Sequence, residues 1–328
     1  MIDLRTTYAG LTLRNPIIVG SSGLTNKAER NREFEKAGAG AIVLKSLFEE
    51  QIDLHSDQLM KHSDYPEAID YIQTYVKSHQ LEGYLDLVRK TKGYCTIPVI
   101  ASINCYRSDA WVDFARQIEE AGADALELNV YDLEISLDDD LNEARMVRDR
   151  YAHLISKVKK TVSIPITIKI GKTFSNIPSF VNVMNVNGAD GVVMFNRFYQ
   201  PDIDINKLQI VSGNVFSNQS NLSDTIRWTA IVSAKVPGIS IAASNGIHDW
   251  EDVVKCLLAG ASAVQICSAL YTSGNEIISQ ILTCLEEWMN QANFGSIADF
   301  SGLLNYAKIP DPSLYERSQF MKYFSSRD

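Results

Sequence analysis

Four stretches, Ala37-Gly38-Ala39-Gly40, Ala121-Gly122-Ala123-Asp124, Asn187-Gly188-Ala189-Asp190 and Ala259-Gly260-Ala261-Ser262, each stand just ahead of a short apolar run. The runs are Ala41-Ile42-Val43-Leu44, Ala125-Leu126-Glu127-Leu128, Gly191-Val192-Val193-Met194 and Ala263-Val264-Gln265-Ile266. Glycine in the second position of each step suits a helix that closes in the left-handed region, and the runs suit strands buried on both faces. The four glycines stand 84, 66 and 72 positions apart. A strand–helix–strand unit needs about 30 or more residues, so each interval holds about two units. Four steps at double spacing give eight units, and eight parallel strand–helix units close into a (β/α)8 barrel, the TIM-barrel architecture.

Around these steps the pattern predicts strands at 16–19, 41–45, 98–103, 125–129, 165–170, 191–195, 239–243 and 263–266. Helices are expected at 27–36, 81–92, 109–121, 141–162, 179–187, 225–236, 249–258 and 276–292. Residues 6–15 alternate around Ala9-Gly10 as a small hairpin does, and such a hairpin can plug the barrel floor. Two connections are long, 49–80 after the second strand and 196–222 after the sixth; the first reads as a lid or substrate loop. No linker or low-complexity segment interrupts the pattern. The chain therefore reads as one domain, with the barrel at about 11–292 and a polar tail over 293–328 anchored by aromatics such as Phe300, Tyr306 and Tyr315.

The 328 residues are 45% hydrophobic and 22% charged, enough to build a soluble protein with a large core. A net charge of −9 argues against a nucleic-acid groove or an anionic membrane surface as partner. Cys95, Cys105, Cys256, Cys267 and Cys284 show neither close pairs nor metal-type spacing, so neither disulfides nor a metal site is expected. His55, His62, His79, His153 and His248 do not cluster. The opening Met1-Ile2-Asp3-Leu4-Arg5 has no leader character and no apolar run reaches spanning length, which makes cytoplasm the expected location.

A (β/α)8 barrel builds its active site at the C-terminal ends of its strands. In this chain those ends carry Gly20-Ser21-Ser22-Gly23, Lys45-Ser46, Asn104-Cys105, Asn129, Lys169, Asn196, Ser244-Asn245-Gly246 and Cys267-Ser268. Lysines aimed into a barrel mouth are costly to desolvate unless an anionic or electron-rich ligand meets them, and Lys45 and Lys169 both occupy strand ends. The alternative for either is a surface lysine that snorkels to water. Asn104, Asn129 and Asn196 supply donors and acceptors without charge, as recognition of a heterocyclic amide requires. The small residues after the seventh and eighth strands leave backbone N–H groups open where barrels commonly hold phosphate; the alternative is two ordinary tight turns.

Taken together these residues resemble the FMN-dependent dihydroorotate dehydrogenase family, class 1 cytosolic type, and the related flavin domain of dihydropyrimidine dehydrogenase. The likeness is carried by Ile100-Ala101-Ser102-Ile103-Asn104-Cys105 with Gly122-Ala123-Asp124-Ala125-Leu126-Glu127-Leu128-Asn129. The runs Ser244-Asn245-Gly246-Ile247 and Gln265-Ile266-Cys267-Ser268-Ala269-Leu270 add to it. The resemblance implies an FMN oxidoreductase acting on dihydroorotate, in pyrimidine biosynthesis, or on a similar reduced cyclic amide. It implies that Lys169 bonds the electron-rich edge of the flavin and that Lys45 lies beside flavin and substrate. Asn104 and Asn129 then contact flavin or substrate, and Asn196 binds substrate. The turns at Ser244, Asn245, Gly246, Cys267 and Ser268 hold the phosphate, and Ser21, Ser22 and Ser46 complete the cofactor set. A homodimer with a separate electron-acceptor partner is the expected assembly.

Several positions depart from that family. After Glu-Leu-Asn its cytosolic members usually place Leu-Ser-Cys-Pro-Asn, with cysteine as base; here Val130-Tyr131-Asp132-Leu133-Glu134 follows. Asp132 stands at the cysteine position and can serve as catalytic base, with Glu134 and Ser136 as substitutes, or it can simply solvate a loop. The loop at 49–80 lacks the family's Asn-Ser-x-Gly-x-x-Asn run, and Ser212-Gly213-Asn214-Val215-Phe216-Ser217-Asn218 replaces its glycine-rich stretch after strand six. Asn245 and Cys267 stand where the phosphate turns usually have glycine. Two other readings are therefore open: a flavin-binding relative with a different or lost substrate, and a phosphate-binding barrel lyase or isomerase using Lys45 or Lys169.

Overall fold

The computed structural model describes residues 2–49, 69–104, 108–130 and 143–316. The strands in chain order are β1 Thr6–Tyr8, β2 Leu11–Leu13, β3 Ile17–Val19, β4 Ala41–Val43, β5 Leu47–Phe48, β6 Val99–Asn104 and β7 Ala125–Asn129. They continue with β8 Ile166–Ile170, β9 Gly191–Met194, β10 Pro201–Asp204, β11 Gln209–Ser212, β12 Ser240–Ser244 and β13 Ala263–Ile266. The helices are α1 Ala28–Lys36, α2 Ile69–Tyr94, α3 Ser108–Glu120, α4 Glu143–Lys159, α5 Ile177–Val186 and α6 Leu222–Lys235. Then follow α7 Trp250–Ala259, α8 Ser268–Ser273, α9 Glu276–Gln291 and α10 Ile297–Phe300.

Eight parallel strands run in the order β4-β3-β13-β12-β9-β8-β7-β6, and β4 pairs with β6 to close the ring. This is a (β/α)8 barrel, and short β5 adds to the upper end of β6. The four step glycines have positive φ, 112° at Gly38, 94° at Gly122, 111° at Gly188 and 110° at Gly260, a region that costs an L side chain energy. Two steps end in aspartate, and both aspartates do the same job. Asp124 accepts from the Val99 N–H and the Lys92 ammonium, and Asp190 from the Ile166 N–H and the Lys159 ammonium. A matching pair of glutamates ties helix ends to the turns before those strands. Glu35 accepts from the N–H and hydroxyl of Thr96, and Glu119 from the N–H and hydroxyl of Ser163.

Alternation along each strand separates two cores. Leu126, Leu128, Ile166 and Ile168 face outward against the helices, whereas Ala41, Val43, Ile100, Ala125, Val193, Ala242 and Ala263 face inward. The inward set packs on Tyr8 and Leu13 of the β1–β2 hairpin, which fills the barrel floor. That hairpin turns through Ala9 and Gly10, both at positive φ, and Thr6 Oγ1 donates to Ser262 O at 2.8 Å.

Two connections differ from the sequence expectation. Helix α2 begins at Ile69, well before the expected 81; residues 69–82 contain neither proline nor glycine, so nothing in that stretch breaks a helix. The connection after β9 carries a two-stranded hairpin, β10 with β11, where only loop was expected. Its strands are almost wholly exposed, so no burial pattern marked them. In the tail, Phe300 is fully buried beside Trp288 and Phe294, and the Gly302 N–H donates to Leu257 O. No helix among the described residues is long and apolar enough to cross a membrane.

Candidate active site

With the floor filled by the hairpin, the polar inward positions collect at the opposite, C-terminal mouth. Strand register places Asn129 beside Lys169 and Ser244 beside Gln265. Lys169 is buried, and its ammonium donates to Gln265 Oε1 at 3.0 Å. Gln265 Nε2 in turn donates to Glu127 Oε2 at 2.6 Å, while Glu127 Oε1 lies 3.9 Å from the Lys169 nitrogen. Lys45 is half-buried, with its ammonium 5.7 Å from the centre of the Phe48 ring and no ion pair to a described carboxylate. Asn196 Nδ2 donates to Asn129 Oδ1 at 2.6 Å, joining the ends of β7 and β9. A run of hydroxyls leads down from the mouth: Ser21 Oγ is 3.0 Å from Ser46 Oγ, which is 2.8 Å from Ser102 Oγ.

These side chains border two adjoining cavities. The larger, of about 470 Å³, is lined by Ser21, Ser22, Lys169, Asn196 and both C-terminal turns, Ser244-Asn245-Gly246 and Cys267-Ser268. The smaller, of about 240 Å³, takes in Lys45, Ser46 and Asn129 and shares Ser21, Ser22, Lys169 and Asn196 with the first. The structure thus brings together at one mouth every sequence-derived candidate it describes except Asn104, which is buried at the end of β6 and lines neither cavity. Asp132, Glu134 and Ser136 lie outside the described residues, as does Cys105.

The turn after β12 is unusual. Asn245 and Gly246 take φ of 84° and 83°, and a Cβ on Gly246 would fall 2.4 Å from Leu222 N. Asn245 Oδ1 is buried without a hydrogen-bond partner. Ser268 Oγ accepts from the Ser217 N–H, and Ser217 Oγ lies 3.1 Å from His248 Nε2, so the loop after β11 closes over this turn. Burial pushes the Cys267 thiol up, against the opposing pull of a Ser22 hydrogen bond and the Lys169 cation. Among the described residues no group of three or more His, Cys, Asp or Glu side chains is placed to hold a metal ion.

A model of the dihydroorotate dehydrogenase family matches residues 3–289. The chain belongs to that family. It is similar to the catalytic subunit of dihydroorotate dehydrogenase B (NAD(+)) from Thermoplasma acidophilum, 28% identical over 314 residues covering 92% of this chain and 99% of that one. The Pyrococcus furiosus catalytic subunit is likewise 28% identical over 317 residues, 92% and 99% of the two chains. The NAD-dependent dihydropyrimidine dehydrogenase subunit PreA of Escherichia coli is 24% identical over 329 residues, 95% of this chain and 79% of its own. As a member of the family the chain is an oxidoreductase acting on CH–CH bonds. That replaces the lyase or isomerase alternative.

Three residues of the mouth, Gln265, Arg197 and Tyr271, and one buried beneath it, Glu127, were not singled out from the sequence. A signal for Glu127 and Gln265 was present. Both are polar residues within apolar runs, two positions before Asn129 and Cys267 respectively, and so on the same face as those. Arg197 follows Asn196 and donates to four neutral oxygens, those of Val215, Asn221, Gln200 and Asn214, pinning the loop that covers the cleft. Nothing local in the sequence marks it.

Proposed function

We propose that the chain holds FMN in this cleft and oxidises dihydroorotate, or a similar reduced cyclic amide, in pyrimidine metabolism. The observation that carries the reading is the convergence of Lys45, Asn129, Lys169 and Asn196 on one mouth beside the Asn245–Gly246 turn. The residues fit the cofactor. The volume lies in the range of small-molecule sites, and its lining offers an anion the Lys169 ammonium and the Ser21, Ser22, Ser244 and Ser268 hydroxyls as donors. Lys169 has two further ammonium hydrogens that Gln265 does not engage.

In this reading the backbone N–H groups and hydroxyls of 244–246 and 267–268 hold the phosphate, and Lys169, Ser46, Ser21 and Ser22 face the ring system; Asn104, which borders neither cavity, supports them from the end of β6. FMN, when bound, supplies a two-electron hydride acceptor. Lys45, Asn129 and Asn196 orient the substrate, with Lys45 also touching the cofactor and matching negative charge on the substrate. Asp132 takes the proton from substrate C5 onto a carboxylate oxygen. An unperturbed carboxylate is a weaker base than a thiolate, so turnover is slow unless burial raises its pKa. We read residues 1–328 as one such domain, soluble and cytoplasmic. A homodimer is supported by the β10–β11 hairpin, whose Ile203, Ile205, Leu208 and Ile210 are exposed in one apolar patch. The relatives' names mark them as subunits, which supports a separate electron-acceptor partner.

The test is anaerobic titration of FMN-loaded protein with dihydroorotate. Bleaching of the flavin spectrum is expected. Protein that stays colourless after FMN is added refutes the cofactor, and a yellow protein that dihydroorotate does not bleach refutes the substrate.

A further inference from the structure

The least expected side chain in the barrel is Glu127. It is fully buried on the inward face of β7, one inward position below Asn129, and its Oε1 has no hydrogen-bond partner. An ionised carboxylate is expensive to keep in such a place, and an apolar residue of similar volume commonly serves a core at least as well. What surrounds Glu127 is specific. Oε2 accepts from Gln265 Nε2, the same amide's oxygen accepts from Lys169, and the unpartnered Oε1 lies toward the ammonium at 3.9 Å. An amide has one acceptor end and one donor end, so Gln265 fits between a cation and a carboxylate in only one orientation. It acts as a spacer that keeps carboxylate and ammonium from closing into a direct hydrogen bond, and it leaves Lys169 raised toward the cleft.

We propose that Glu127 and Gln265 are positioning residues that set how much of the Lys169 charge reaches the cofactor, and thereby tune the cofactor's reduction potential. This rests on the FMN reading above. A cation beside the ring system favours the more negatively charged, reduced form of the cofactor, and the buried carboxylate partly cancels that effect.

Two substitutions therefore move the potential in opposite directions. Glu127→Gln keeps the shape, removes the negative charge and leaves Lys169 uncompensated, so the potential rises. Gln265→Met keeps much of the volume but removes the spacer, so the ammonium drops onto Glu127 and the potential falls. A packing defect with no electrostatic role gives no such opposition of sign.

The experiment is an anaerobic, dye-equilibrated reduction of FMN-loaded wild type, Glu127→Gln and Gln265→Met. Each variant is expected to change the ratio of affinities for reduced and oxidised FMN at least tenfold, about 30 mV for a two-electron couple, upward for the first and downward for the second. Shifts of the same sign, or potentials that do not move, overturn the proposal. Should Glu127→Gln fail to fold, the sign for Gln265→Met decides alone. Wild type that takes up no FMN overturns this proposal together with the cofactor assignment, whereas yellow wild type with unmoved variants overturns this proposal alone.

Discussion

Replacing Gly246 by alanine strikes the turn that we assign to the cofactor phosphate. The backbone there has φ of 83°, and the new Cβ would meet Leu222 N at 2.4 Å and the Asn221 carbonyl carbon and Leu222 Cα at 2.8 Å. All three are backbone atoms, so no side chain can swing aside, and the turn must move by about 1 Å to reach ordinary contact distance. The left-handed conformation costs alanine about 1–2 kcal/mol, and forcing a methyl into filled space adds about 1–3 kcal/mol, for a total of about 2–5 kcal/mol. At about 2.1 cal/mol/K per residue, the unfolding entropy of a chain this size turns that into a Tm lowered by about 3–7 °C. Gly122→Ala is the matched control, because φ there is 94° and nothing lies within 4 Å of the added carbon. It pays only the conformational cost, about 1–2 kcal/mol and about 1.5–3 °C. Calorimetry of the apo-proteins measures the difference, and FMN titration should show affinity lowered roughly tenfold or more in Gly246→Ala alone, the equivalent of about 1.4 kcal/mol. Equal Tm losses for the two variants, or an FMN affinity unchanged by Gly246→Ala, would show that the turn is neither as tight nor as close to the cofactor as argued.

Ser244→Asp sets a negative charge against the phosphate and should yield protein that purifies colourless and stays so with added FMN, read by absorbance. Asp132→Asn should abolish bleaching by dihydroorotate while FMN remains bound; an unchanged rate of reduction in stopped flow removes Asp132 from the mechanism. Glu119 is pushed up by partial burial, but hydrogen bonds from the Ser163 hydroxyl and the Ser163 and Ile164 N–H groups outweigh that and hold its carboxyl below the usual value. A lowered folded-state pKa gives stability that is present above the unfolded value near 4.5 and is lost as pH falls through the folded one. Glu119→Gln should therefore cost about 1 kcal/mol at neutral pH, a gap that narrows in urea titrations as pH falls below the unfolded value and through the lowered folded one. Leu208→Asp, at an exposed position of the β10–β11 hairpin, should shift sedimentation from dimer to monomer and leave the FMN spectrum unchanged.

The eight-strand barrel was legible along the chain because its signals are local. A glycine that must close a helix at positive φ, followed by an apolar run, is a statement about neighbours in sequence, and Gly38, Gly122, Gly188 and Gly260 all take that conformation. Strand ends follow from strand positions, so Lys45, Asn129, Lys169 and Asn196 could be named before their distances were known. The β10–β11 hairpin and the early start of α2 were not read from the sequence; the hairpin's polar–apolar alternation, Asp202-Ile203-Asp204-Ile205, lies on exposed strands and so faces no core that a barrel pattern would call for. The arrangement beneath the mouth belongs to tertiary structure alone. Glu127, Lys169 and Gln265 come from β7, β8 and β13, separated by 138 positions between Glu127 and Gln265 and by 96 between Lys169 and Gln265. Alternation tells that each shares a face with its neighbours two residues away. It does not tell that all three faces turn inward at one height, because that depends on the register of the strands and on the closure of the ring. The same holds for Arg197, whose role exists only once the loop it pins has folded back over the cleft.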